Sequence, residues 1–403
     1  MNRYESACFV YHGPQDVQRE KRFVSCPKDG LLLKIRTAGL CSTDRSVYRN
    51  GHPKVDPHVP VILGHELCGE IVAKGAEVGS CREGVGYLQG EQLNSKQIDF
   101  PLGQRVTLQS RIARYANGLM LTKDPLTILS FSIDGGYAQY MVVPDLLIRS
   151  GSVLRIPDHV SDVEGALVEP AACALEALFS TPHPIGVDKE GRHLFRTGVK
   201  RGGLACIIGS GTLAMIYARL CLMDGAAKVF VLVRSQEKAQ RITRLIPNRV
   251  QAVVVPRYDR RPLSEKMEIE KDIVQKLDLL TEGHLFDDVV LACADPDAQR
   301  LMLELYTPEG YAVGSCFAGL RRRSENAHVD LNHYRTAITM GTSGCSTATM
   351  ETALNRIAQG ELAVGDLVSP AAFDLDDDPH RFFTAKTDGL KAMLYPHGKG
   401  AAD

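Results

Sequence analysis

The sequence predicts an α/β protein in two parts, a β-rich part followed by a parallel sheet, and three observations carry that prediction. Short β-type runs separated by Gly and Pro fill the chain to about Leu178. From Leu204 onward, apolar strand candidates alternate with helical segments, the pattern of a parallel sheet with crossover helices. Between strand and helix lies Gly209-Ser210-Gly211-Thr212-Leu213-Ala214, a glycine turn. The 403 residues allow about two domains.

In chain order, the β-rich part offers Leu31-Leu32-Leu33-Lys34-Ile35, Glu70-Ile71-Val72-Ala73, Gln104-Arg105-Val106-Thr107-Leu108 and the run from Tyr137 to Val143. Such short runs with turn signals between them predict a small barrel-like domain. A stretch over 181–197, with Pro182, Pro184, Gly186 and Gly191, reads as a loop. Strands are then expected over Leu204–Ile208, Val229–Val233, 252–255, 288–292 and 311–313, and a late helix over Thr347–Ala358.

Bulk composition narrows the function classes. A formal net charge of −1 leaves no footprint for nucleic acid or an anionic membrane. No apolar run approaches the roughly 18 residues a membrane span needs. The first twenty or so residues are polar and of mixed charge, unlike a secretory signal. Eleven cysteines at irregular spacing argue against a disulfide framework and for a reducing compartment. These features predict a soluble cytoplasmic enzyme.

Cys41-Ser42-Thr43-Asp44 and Gly64-His65-Glu66 put a thiolate, an imidazole and a carboxylate within one short segment, the ligand mix a catalytic zinc prefers. Cys41 and His65 are the leading ligand candidates, with Glu66 and Glu169 as carboxylates to complete the set. The Thr43 hydroxyl is placed to relay a proton, and Asp44 to accept the second N–H of His65. Ser46 is a further relay hydroxyl. A cysteine or a His-Glu pair taken singly is usually a buried hydrophobe or a solvated pair. The case therefore rests on the residues together.

These segments resemble the medium-chain alcohol dehydrogenases. Gly64-His65-Glu66-Leu67-Cys68-Gly69, followed by Gly75 and Val78, is similar to that family's zinc signature. Ala38-Gly39-Leu40-Cys41-Ser42-Thr43-Asp44 resembles its catalytic-cysteine segment, and Val168-Glu169-Pro170 its acidic third-ligand region. The resemblance extends over about 31–396. It implies a GroES-like catalytic domain over 1–178 with 344–403 returning to it, and a Rossmann domain over 179–343, with zinc and nicotinamide on facing walls. Glutamate at 169 is similar to the polyol and threonine dehydrogenase branch, in which one carboxylate ligates and the other can hold the zinc-bound water. Many relatives carry four close cysteines for a structural zinc. This chain has none between Cys81 and Cys173, and the lobe over 109–132 carries Arg, Asn and Lys instead. One catalytic zinc and no structural zinc is the expectation.

The turn Gly209-Ser210-Gly211-Thr212-Leu213-Ala214 fits G-x-G-x-x-A: glycines let a pyrophosphate approach the backbone at a helix N-terminus. The next strand ends in Val233-Arg234-Ser235, without the acid that would bind a ribose 2′-hydroxyl. Arg234 and Ser235 can pair a 2′-phosphate, which favours NADP over NAD. Asp388-Gly389-Leu390-Lys391 resembles the family's returning segment, implying Lys391 near the pyrophosphate.

Other features read blandly. Arg321-Arg322-Arg323 and the acidic stretch 374–378 are solvated loops, and Cys345 is inert; Tyr48 and His52 are candidates to line a pocket. The resemblance thus implies hydride transfer between NADP (or NAD) and a small alcohol or carbonyl compound. Zinc would act as Lewis acid, and the proton would leave by Thr43 and then Ser46 or the ribose. The expected substrate is a polyol, sugar, cyclitol or phosphate of one, with an amino alcohol next. A homodimer or homotetramer is expected. A zinc-free quinone or enoyl reductase and a non-catalytic NADPH-binding protein are the competing classes.

Overall fold

The computed structural model of the chain describes residues 2–56, 58–78, 99–112, 115–116, 119–120, 127–316 and 331–398. Cys81, part of the 109–132 lobe expected to lack a structural zinc, and Arg321 to Arg323 lie outside them. The chain forms two compact units, Met1–Ala172 with Gly344–Asp403, and Cys173–Ser343. The boundary falls inside the helix Val168–Phe179.

The first unit is built around a seven-stranded sheet whose path runs Val153–Arg155, Arg105–Leu108, Glu66–Lys74, Leu31–Gly39, Lys391–Leu394, Val368–Phe373, with Tyr140–Val143 also on Leu31–Gly39. Leu31–Gly39 is almost wholly buried, as a strand crowded on several sides should be. An N-terminal hairpin, Arg3–Gly13 with Asp16–Ser25, lay outside the sequence expectations. Its first strand buries Cys8, Phe9 and Val10, while the second alternates toward solvent. The core gathers Phe9, Leu31, Leu33, Ile35, Tyr137, Phe382 and Phe383. Each such side chain contributes about 1.5–3 kcal/mol on burial.

Register does the positioning. Gly39 pairs with Glu66 on one side and with Met393 on the other. The start of one strand and the returning C-terminal strand are thereby fixed beside the end of Leu31–Gly39, just ahead of Cys41.

The second unit is a six-stranded, all-parallel sheet in the order Val250–Val254, Lys228–Val233, Leu204–Ile208, Asp288–Leu291, Val313–Cys316, Ile338–Gly341. Sequence order 3-2-1-4-5-6 is that of a dinucleotide-binding Rossmann sheet. The helix Thr347–Ala358, which belongs to the first unit, lies where the sequence places it. The strand expected over 311–313 instead begins at Val313, because Tyr311 takes a positive φ of 57° that an extended strand cannot hold. The segment 181–197, read as a loop, is a hairpin of Pro182–Val187 and His193–Thr197. Its prolines are tolerated because it is a two-stranded ribbon with free edges and a register shift between Pro184 and Gly186. No helix among the described residues is long and apolar enough to cross a membrane.

Candidate metal centre and nucleotide cradle

Cys41 is the N-cap of the helix Ser42–Asn50. Its Sγ accepts the Thr43 backbone N–H at 3.4 Å, and the Asp44 carboxylate receives the Cys41 N–H at 3.4 Å, closing a capping box. The positive end of the helix dipole thus faces the sulfur. His65 and Glu66 arrive through the strand pairing. Gly64 has a φ of +96°, and a Cβ there would lie 2.5 Å from the Tyr137 ring. A Cβ at Gly39 would lie 2.6 Å from Oε2 of Glu66, so glycine makes room for that carboxylate.

Ligand atoms of Cys41, His65 and Glu66 lie within 4.8 Å of one another, and this is the metal-capable group among the described residues. Sulfur, nitrogen and oxygen donors in one pocket suit zinc. Oε2 of Glu66 is buried and faces the Lys391 ammonium at 2.6 Å. These residues fit a zinc ion.

Asp44 is wholly buried. Tyr137 donates its hydroxyl to Oδ2 at 2.7 Å, while Oδ1 lies 3.4 Å from Nδ1 of His65 and makes no hydrogen bond. Burial opposes the Asp44 charge, yet His65, Tyr137 and the Cys41 N–H hold the carboxyl below its ordinary range. Burial likewise opposes a charged His65, and the Asp44 and Cys41 charges outweigh it and raise the imidazole. With Nδ1 turned to Asp44, Nε2 is left to ligate.

Glu169, in the first turn of Val168–Phe179, is buried and accepts the Ser110 hydroxyl at 2.7 Å. Burial raises its carboxyl, opposed by the charge of His65. It does not belong to the close triad. Lys391, expected beside the pyrophosphate, is buried with its ammonium 2.7 Å from Oε1 of Glu66. Thr43 and Ser46 stand on the helix Ser42–Asn50 three positions apart, on one face, with Thr43 exposed and Ser46 half-buried. Tyr48 is buried against His380 and Phe383, and His52 lies against Phe131. Tyr137 and Ser110 escaped sequence reasoning. The only trace is Gly135-Gly136 before Tyr137, glycines whose backbone packs onto Leu63 and Gly64.

In the second unit, Leu204–Ile208 leads through Gly209, Ser210 and Gly211 into the helix Thr212–Asp224. Gly209 has a φ of +142°, and a Cβ there would meet the Ala292 carbonyl at 2.9 Å. Gly211 caps the helix with no side-chain hydrogen bond, and the N-terminus of such a helix favours an anion. Leu213 is half-buried and Ala214 fully buried, the small side chain letting helix and strand approach. This cradle fits a pyrophosphate.

Arg234 follows the strand Lys228–Val233 and pairs with Asp295, with Asp259 4.0 Å away. The sequence expectation of a position free of carboxylates is corrected here, because both acids come from segments beyond later strands. Ser235 caps the helix Gln236–Leu245, accepting the Lys238 N–H at 3.3 Å, and its hydroxyl proton stays available.

Residues 27–150 match the alcohol dehydrogenase GroES-like domain family. The chain is 30% identical over 378 residues to the uncharacterized protein YggP of Escherichia coli K12, covering 89% of this chain and 76% of that protein. It is 26% identical over 358 residues to an L-sorbose 1-phosphate reductase of Klebsiella pneumoniae, covering 85% and 76%. With an (R,R)-butanediol dehydrogenase of Bacillus subtilis it shares 25% over 247 residues, covering 58% and 60%. Across such matches the chain spans between 51% and 76% of the relative's length. A crystal structure of 2R,3R-butanediol dehydrogenase from Bacillus subtilis superposes with a TM-score of 0.73 at 19% identity, covering 97% of this chain and 99% of that one. At that identity the likeness is one of fold.

Proposed function

The chain belongs to the zinc-type medium-chain dehydrogenase/reductase family, and from that premise we propose that it transfers hydride between NAD(P) and a secondary alcohol or its ketone. The observation that carries this reading is the close cluster of half-buried Cys41 with buried His65 and Glu66. A polyol, sugar, cyclitol or phosphate ester of one is the proposed substrate class. What supports it is the pair of named relatives, a sugar-phosphate reductase and a diol dehydrogenase.

Bound zinc supplies Lewis acidity toward a substrate oxygen, and bound nicotinamide accepts or returns hydride. Cys41, His65 and Glu66 would hold the metal, with Glu169 behind them. Asp44 fixes the His65 tautomer. Thr43 takes the hydroxyl proton and passes it along the helix face to Ser46, a path supported by their three-residue spacing. Gly209, Ser210, Gly211, Thr212 and Leu213 would cradle the pyrophosphate, and Lys391 pairs with Glu66. Arg234, oriented by Asp295, and Ser235 would bind a 2′-phosphate, so NADP is the proposed partner. One catalytic zinc without a structural one, a cytoplasmic location and a homodimer or homotetramer complete the proposal.

The test is metal analysis joined to a substrate screen. Purified protein should hold about one equivalent of zinc and lose turnover on chelation. It should act on members of a panel of polyols, sugar phosphates and amino alcohols with one or both cofactors. Turnover that survives chelation would assign the chain to a metal-free reductase and refute the zinc reading.

A further inference from the structure

Tyr137 is wholly buried, and its ring packs at right angles on Phe382, 5.1 Å between centroids, and on Phe383, 5.7 Å. A buried phenol of this kind usually needs only one partner for its hydroxyl. This one meets two segments that carry the metal donors. It lies 3.0 Å from the Gly39 carbonyl, just ahead of Cys41, and 2.7 Å from Oδ2 of Asp44, just behind it. Its backbone N–H bonds the Leu63 carbonyl at 3.0 Å, the preceding Gly136 N–H bonds the Gly64 carbonyl at 2.7 Å, and the ring fills the space a Cβ at Gly64 would take. The chain on both sides of Cys41 and the chain entering His65 are therefore clamped by one side chain and its backbone.

The Asp44 carboxylate shows the result. Oδ2 is taken by Tyr137 and the Cys41 N–H, so Oδ1 is the oxygen turned to His65 at 3.4 Å. A phenylalanine at 137 would fill the same volume and pack on the same rings, but it would leave Asp44 Oδ2 held by the Cys41 N–H without the shorter phenol bond.

We propose that Tyr137 is a positioning residue of the metal centre, acting through Asp44 on His65 to set zinc affinity rather than only filling the core. This rests on the zinc reading of Cys41, His65 and Glu66. Loss of an outer partner of a ligating histidine weakens metal binding about 10- to 100-fold, and that is the effect expected of Tyr137→Phe.

The experiment uses the full chain as wild type, Tyr137→Phe and Phe382→Leu, each titrated with zinc against a chromophoric chelator and each examined as the cobalt(II) form by absorption. Phe382→Leu disturbs the same packing without touching the hydroxyl. The expected result is about one zinc in the wild type, affinity weakened about 10- to 100-fold and a changed cobalt spectrum in Tyr137→Phe, and near wild-type behaviour in Phe382→Leu. Wild-type affinity and spectrum in Tyr137→Phe would overturn the proposal while leaving the zinc reading intact. So would equal weakening in both variants, since packing alone would then explain it. A wild type that binds no zinc overturns the zinc reading and this proposal with it. Should Tyr137→Phe fail to fold, Asp44→Asn carries the same test, because it removes the charge through which the hydroxyl acts; unaltered zinc affinity there would overturn the proposal.

Discussion

The Lys391 ammonium lies 2.7 Å from Oε1 and 2.6 Å from Oε2 of Glu66, and both side chains are buried. Burial opposes the ammonium, yet the charges of Glu66 and Cys41 raise its pKa. Removing one member of a buried pair strands the other. Lys391→Met should therefore cost about 3 kcal/mol in the metal-free protein. Zinc would then replace the missing cation, so its stabilising increment should be larger in the variant. Urea unfolding with and without zinc measures this, and equal increments in both proteins would refute it.

The two carboxylates should separate on substitution. Glu66 belongs to the close triad, whereas Glu169 is raised by burial and engaged by Ser110. Glu66→Gln is expected to weaken zinc binding by about tenfold or more, and Glu169→Gln to retain close to one equivalent. Zinc quantification after gel filtration decides, and the reverse order would make Glu169 the direct ligand.

Arg234→Ala bears on the cofactor. A hydrogen bond to a charged group is worth about 1.5–3 kcal/mol, so the KM for NADPH should rise about 10- to 100-fold while that for NADH changes little. Equal changes would remove the 2′-phosphate from the role proposed for this guanidinium. Asp295→Asn should produce a smaller loss with NADPH, because it loosens the same group.

A pH effect belongs to the second unit. Burial opposes the His284 charge, but Asp287 and then Glu309 outweigh it and raise the imidazole above its ordinary 6.5. Burial opposes the Asp287 charge too, and Lys200, the Leu204 N–H and His284 lower it below 3.8. A raised histidine stabilises fully below its unfolded value, and that share is lost as pH rises through the folded one. The lowered carboxylate contributes above its unfolded value and loses its share as pH falls. The thermal midpoint should thus decline from about pH 6.5 upward, and less steeply in His284→Gln. Parallel profiles would sink the assignment.

Much of this was legible in the chain because the informative signals are local. The glycine turn 209–214, the apolar strands around it and the Thr347–Ala358 helix rest on short-range pattern. Cys41, His65 and Glu66 carried recognisable neighbours. What escaped depends on register between distant strands. Nothing near Lys391 in sequence announces Glu66, because their meeting is set by Gly39 pairing with both strands at once. Asp259 and Asp295 reach Arg234 from segments that follow other strands, for the same reason. The 181–197 hairpin was hidden by prolines that a free-edged ribbon accepts.

The pairing of Glu66 with Lys391 also has a cost in time, because 325 positions separate them. At typical ribosomal speeds the partner strand emerges roughly 16 to 65 s after the carboxylate. During that interval the nascent sheet lacks the strand beside Leu31–Gly39, and an anion destined for the interior has no counter-ion from the chain.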